Sequence, residues 1–90
     1  MTRVLVIEDD RDIRELIAFS LRIAGFDVAV AANGAEGLQR AAALRPELIL
    51  LDVRMPKMNG FEVCQKLKQE PATSRIPVVF LSARGQDVEI

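Results

Sequence analysis

Apolar residues gather in four short runs along this sequence. Val4-Leu5-Val6-Ile7 opens the chain, a mixed run follows at 26–31, and Leu48-Ile49-Leu50-Leu51 and Val78-Val79-Phe80-Leu81 come later. Continuous aliphatic runs of this length suit strands buried on both faces of a parallel sheet. Between the first two runs, Ile13, Leu16, Ile17, Leu21 and Ala24 recur at helical spacing, and Arg11, Arg14, Glu15 and Arg22 fill the remaining positions. That pattern predicts a helix from residue 10 or 11 to 24, stopped by Gly25. Asn33-Gly34 marks a turn. An Ala-rich helix over 35–44 ends before Arg45-Pro46, because proline disfavours helix in the residue before it. A third helix is predicted over 61–69, with Phe61, Cys64, Leu67 and Lys68 at helical spacing. Pro56 and Gly60 punctuate a loop at 54–60, Pro71 breaks a polar connection at 70–75, and a polar tail follows Ser82-Ala83 as far as Ile90.

The resulting order is β-α-β-α-β-α-β. Strands alternating with helical stretches argue for βαβ units, an α/β class and a parallel sheet with right-handed crossovers. Ninety residues make one domain, here 1–90, without internal repeat or low-complexity segment. Half of the residues are hydrophobic but only four are aromatic, all Phe, so the core must be aliphatic. Twelve basic against 13 acidic residues leave a net charge of −1, which gives no sign of a nucleic-acid surface. With no His, imidazole catalysis and imidazole metal ligation are excluded. The single Cys64 cannot form an intramolecular disulfide; on the apolar face of a helix it reads as core. No apolar run is long enough to span a membrane, and Met1-Thr2-Arg3 lacks the form of a signal peptide. A soluble, cytoplasmic, reducing setting is expected.

Candidate chemistry lies at the strand ends. Glu8, Asp9 and Asp10 follow the first run, and Asp52 follows the third. Parallel strands point the same way, so their C-terminal ends share one edge, where open α/β sheets bind ligands. Acids at a helix N-terminus can simply cap it, and Asp10 is assigned that role. Three further acids on one edge raise one another's pKa unless a cation sits among them. A hard cation with oxygen ligands, Mg2+ first, is the natural neutraliser. Beside such a metal Asp52 could act as a nucleophile toward a phosphoryl group, giving an acyl phosphate. The hydroxyl of Ser82, at the end of the fourth run, is placed to donate to a phosphoryl oxygen. Arg54 and Lys57 read as solvated loop charges. No nucleotide-binding glycine pattern occurs: Asn33-Gly34-Ala35-Glu36-Gly37 lacks the spacing.

With these residues in hand, the whole chain resembles the receiver (CheY-like) domain of two-component response regulators. The resemblance rests on Val-Leu-Val-Ile-Glu8-Asp9-Asp10, on Leu-Leu-Asp52-Val-Arg-Met-Pro56-Lys-Met-Asn-Gly60 and on Pro77-Val-Val-Phe-Leu-Ser82-Ala83. It implies a flavodoxin-like parallel sheet with helices on both faces. It implies that Asp52 is the phosphoacceptor, that Asp9 binds Mg2+ directly and Glu8 directly or through water, and that the backbone carbonyl of Arg54 completes the ligands. Ser82 resembles the switch Ser/Thr that turns toward the phosphoryl group. The implied partner is a sensor histidine kinase or a phosphotransfer protein; the domain assists its own phosphorylation and is not a turnover enzyme. A family receiver has about five βα units, whereas this sequence stops just after the fourth strand. The fold is therefore expected to be incomplete, without the family's lysine at the end of a fifth strand.

Two alternatives stay open. One is a signalling-incompetent fragment that folds or self-assembles, with an open fourth-strand edge pairing two chains as a dimer unless the polar tail at 84–90 covers part of that edge. The other is a Mg2+-dependent phosphohydrolase with an Asp nucleophile. Such enzymes want a second acid two residues on, where this sequence has Arg54.

Overall fold

The computed structural model describes residues 1–81 and the backbone of 87–89. Five strands and three helices alternate along it: β1 (Arg3–Ile7), α1 (Arg11–Ile23), β2 (Asp27–Ala31), α2 (Gly34–Leu44), β3 (Leu48–Asp52), α3 (Gly60–Gln69), β4 (Val78–Leu81) and β5 (Asp87–Glu89). The sheet order is β2-β1-β3-β4-β5. The first four strands are parallel, and β5 runs antiparallel to β4.

Local chemistry sets the helix ends. Asp10 caps α1, its carboxylate accepting from the N–H groups of Asp12 and Ile13 at 2.9 and 3.1 Å. Gly25, at φ 98°, takes the chain out of the helix in a conformation that glycine reaches without a Cβ penalty. Asn33 caps α2, and Asn59 with Glu62 forms a reciprocal capping box at the start of α3. Arg45 closes α2 in the left-handed region, at φ 48° and ψ 62°.

Side-chain alternation along the strands splits the interior into two faces. Leu5, Ile7, Ala31, Ile49, Leu51, Val78 and Phe80 join Ala41 of α2 and Val63, Cys64 and Leu67 of α3 in one buried cluster. Val4 and Val6 point the other way, toward α1, and are fully buried too. On that second side α1 packs over β1 and β2, leaving Leu48, Leu50, Val79 and Leu81 half-buried.

Three expectations change. The tail contributes β5, which pairs Val79 with Glu89, Phe80 with Val88 and Leu81 with Asp87. The fourth strand therefore does not present the open edge expected for strand-to-strand dimerisation. The apolar stripe of α1 is wider than the sheet surface beneath it: only Ala18 is buried, while Ile13, Leu16, Phe19 and Ile23 stay exposed. Phe61 is also largely exposed, touching Phe80 by a tilted ring contact at 5.0 Å, and Val63 takes its place in the core. No helix among the described residues is long and apolar enough to cross a membrane.

Candidate functional site

β1 and β3 are neighbours in register, with Ile7 opposite Leu51. Residues leaving β1 therefore emerge beside Asp52, the last residue of β3. Glu8, Asp9 and Asp52 each place one carboxylate oxygen within 4.8 Å of the other two. Glu8 is buried, Asp9 exposed and Asp52 half-buried, so the cluster meets solvent at Asp9 and part of Asp52.

Glu8 is held from several directions. Its N–H donates to the Ala31 carbonyl at 3.1 Å, its carbonyl accepts from Nη1 of Arg14 at 3.0 Å, and Oε2 accepts from the Asp10 N–H at 3.3 Å. Burial, then a hydrogen bond with Asp52, pushes its carboxyl up from 4.5 to about 8; the Asp10 N–H opposes the rise. Asp52 is raised as well, chiefly by burial, and pulled back by hydrogen bonds from Glu8 and from the Arg54 N–H. Both shifts favour a proton held between Glu8 and Asp52. A proton shared by the two would leave the pair one negative charge in place of two and ease the repulsion between them.

Among the described residues no Lys or Arg side chain neutralises the cluster. The salt bridges there are Arg3–Asp27, Arg11–Glu15 and Arg40–Glu36, all elsewhere. Three convergent carboxylates with one solvent-facing side offer a hard, all-oxygen donor set. That is the chemistry Mg2+ takes, and a partly open site leaves room for the waters it retains.

The sequence-derived candidates fall into place unevenly. Glu8, Asp9 and Asp52 come together, and Asp10 stays apart as a cap. Arg54 is exposed, and its backbone N–H favours the ionised form of Asp52. Lys57 is exposed, at φ 68°, in a tight turn where the Met58 N–H donates to the Pro56 carbonyl at 2.7 Å. Cys64 is buried, and burial pushes its thiol up. Ser82 lies outside the described residues.

Two positions were given no role at the site by the sequence. Arg14 reads as a surface charge of α1, yet it ties that helix to the Glu8 backbone. Gly60 reads as loop punctuation, yet its backbone lies against the Asp52–Val53 peptide.

The family model described as the response regulator receiver domain matches residues 4–90. The DNA-binding dual master transcriptional regulator RpaA of Synechocystis sp. is 45% identical over 86 residues, which are 96% of this chain and 36% of that protein. The N-terminal domain of a response regulator receiver protein from Methanoculleus marisnigri superposes with a TM-score of 0.90 at 35% identity, over 92% of this chain and 68% of that one. The response regulator TrrA of Thermotoga maritima, solved with Mg2+ and BeF, superposes at 0.86 with 31% identity, over 92% of this chain and 70% of that one. This chain thus spans little more than a third of the length of RpaA.

Proposed function

The chain belongs to the response regulator receiver domains, the signalling domains of two-component systems, and from that premise we propose that Asp52 accepts a phosphoryl group in a Mg2+-dependent reaction. The observation that carries this reading is the convergence of Glu8, Asp9 and Asp52 within 4.8 Å at the C-terminal edge of the sheet. Asp9, Asp52 and the Arg54 carbonyl would hold the ion, with Glu8 acting directly or through water. Bound there, Mg2+ supplies charge neutralisation to a transferring phosphoryl group.

The protein's own atoms do the rest. One Asp52 carboxylate oxygen attacks phosphorus, forming an acyl phosphate. The bond from phosphorus to the donor's imidazole nitrogen breaks, and its electron pair stays on that nitrogen. The donor in this reading is a sensor histidine kinase or a phosphotransfer protein. A cation held there would favour the ionised form of Glu8 and so couple metal binding to proton release. Ser82 is assigned the switch role, donating to a phosphoryl oxygen. Each chain takes one phosphoryl group, which makes it a reactant in signalling and not a turnover enzyme. The near balance of acidic and basic residues supports the view that this stretch does not itself contact nucleic acid.

Self-association is a second reading with an observation of its own. Ile13, Leu16, Phe19 and Ile23 expose an apolar stripe on α1, and a second copy could cover it. With β5 lying on β4, this helix face replaces the fourth strand as the contact surface.

Incubation with acetyl phosphate and Mg2+, followed by intact-mass measurement, tests the phosphoacceptor reading. An adduct of about 80 Da, the mass of one acyl-phosphate group, is expected on wild type and absent from Asp52→Asn. Steady release of phosphate without an adduct would favour the phosphohydrolase alternative; neither adduct nor turnover would favour the signalling-incompetent fragment.

A further inference from the structure

We infer that Gly60 is a positioning residue for the Asp52 carboxylate, because its missing side chain lets the start of α3 seat directly on the Asp52–Val53 peptide. A Cβ built on Gly60 collides with the Asp52 carbonyl oxygen, lies 2.9 Å from the Val53 Cα and 3.1 Å from the Asp52 carbonyl carbon. All three are backbone atoms, so no side chain can swing aside to make room. The contact is closed by a hydrogen bond from the Gly60 N–H to the Val53 carbonyl at 2.9 Å. Its other side is fixed as well, since Asn59 and Glu62 lock the helix start in a capping box and Val63 and Leu67 anchor α3 in the core.

A side chain at position 60 must therefore move the 52–53 peptide or the start of α3. Moving the peptide shifts two groups together: the Asp52 side chain, and the Arg54 backbone whose N–H favours its ionised form. Asp52 forms one wall of the acidic cluster, and Glu8 and Asp9 the other. Glu8 and Asp9 follow β1, and the three atoms nearest a Cβ at Gly60 all belong to Asp52 and Val53, so the push falls on one wall and the two separate or twist instead of shifting as one. Displacements of this size matter where a cation must be grasped by oxygens at fixed distances.

Gly34 and Gly37 differ in kind. A Cβ at Gly34 meets side-chain atoms of Val63 and Met58, and one at Gly37 meets side-chain atoms of Ile7. Crowding there is absorbed, at least in part, by rotamers. At Gly60 the obstacle is the backbone that carries the phosphoacceptor.

The inference rests on the metal-site reading above, and the test keeps the two apart. Mg2+ affinity is measured by calorimetry on wild type, Gly60→Ala and Leu67→Ala, the last truncating the same helix in the core away from the acids. Gly60→Ala is expected to weaken Mg2+ binding by about tenfold or more, the cost of a disturbed coordination geometry, while Leu67→Ala stays within about twofold once folded protein is counted. In wild type, the Gly60 amide resonance should shift with Mg2+ along the same saturation curve as that of Val53, a readout that stands even if Gly60→Ala does not fold. Equal affinity in wild type and folded Gly60→Ala, or a Gly60 amide indifferent to Mg2+, overturns the positioning role alone. A wild type with no affinity for Mg2+ overturns the site reading and this inference with it.

Discussion

Replacing Glu8 by Gln should stabilise the metal-free protein, and should do so only above mildly acidic pH. In the fold, burial and Asp52 raise the Glu8 carboxyl from 4.5 to about 8. Below about pH 4.5 the group is protonated folded or unfolded and costs nothing. Between that value and about 8 the unfolded chain releases the proton and the folded one retains it, so stability falls as pH rises. Above about 8 the loss is complete and the curve flattens. At about 1.4 kcal/mol per pH unit, the full displacement amounts to about 5 kcal/mol. Water reaching Asp9 and the half-buried Asp52 screens part of it, so about 3 kcal/mol is expected in practice. That is a large share of the roughly 5–15 kcal/mol that holds a domain together. Gln keeps the shape of Glu and can still donate to Asp52, but has no proton to lose. Urea unfolding of both proteins across this pH range without divalent metal is the assay. The wild-type midpoint should fall with pH while that of Glu8→Gln falls much less, the two diverging toward pH 8. Parallel curves would refute the claim that Glu8 is the buried, proton-holding member of the cluster.

Other outcomes follow from the same geometry. Asp9→Ala should lower Mg2+ affinity at least tenfold in calorimetry, because it removes a carboxylate from a site with few protein ligands; unchanged affinity would take Asp9 out of the site. Added Mg2+ at about a hundred times its Kd should raise wild-type stability by about 2.7 kcal/mol, by mass action on the folded state, and should do much less for Asp9→Ala. Arg45→Gly should stabilise by about 0.5–1 kcal/mol in urea melts, since relief of a left-handed non-glycine residue outweighs the added freedom of the unfolded chain. Sedimentation equilibrium should show wild type associating reversibly and Leu16→Glu shifted toward monomer; identical behaviour would remove the α1 stripe from any contact between copies.

The strands and helices that build the site were legible because their signals are strong. The apolar runs at 4–7, 48–51 and 78–81 suit strands inside a sheet, and that is where they lie, while the mixed run became the edge strand β2; the helix pattern between them leaves a parallel sheet as the economical arrangement. The acidic cluster was legible for a topological reason: parallel strands bring Glu8 and Asp52 to one edge whatever the details. What stayed hidden depends on three-dimensional fit. Asp87-Val88-Glu89 is short and mostly charged, so its strand character comes from pairing with β4 and not from its own pattern. The α1 periodicity announced an apolar stripe, but only the sheet's width decides that Ala18 faces in while Leu16 and Phe19 face out. Gly60 looks like any loop glycine until the Asp52 carbonyl is seen beneath it. Likewise, a sequence shows carboxylates but not their burial, and it is burial that raises the Glu8 carboxyl.

The central claim is that one residue, Asp52, accepts a phosphoryl group at a site built with Glu8 and Asp9. Its most direct test is to treat the protein with a small phosphodonor, with and without Mg2+, then reduce with borohydride and map the peptides. Reduction turns an aspartyl acyl phosphate into homoserine and marks where it formed. The account predicts homoserine at position 52 alone, and only when Mg2+ was present. Homoserine at Glu8's neighbour Asp9 or at any other aspartate, or equal labelling of Asp52 without Mg2+, would contradict it.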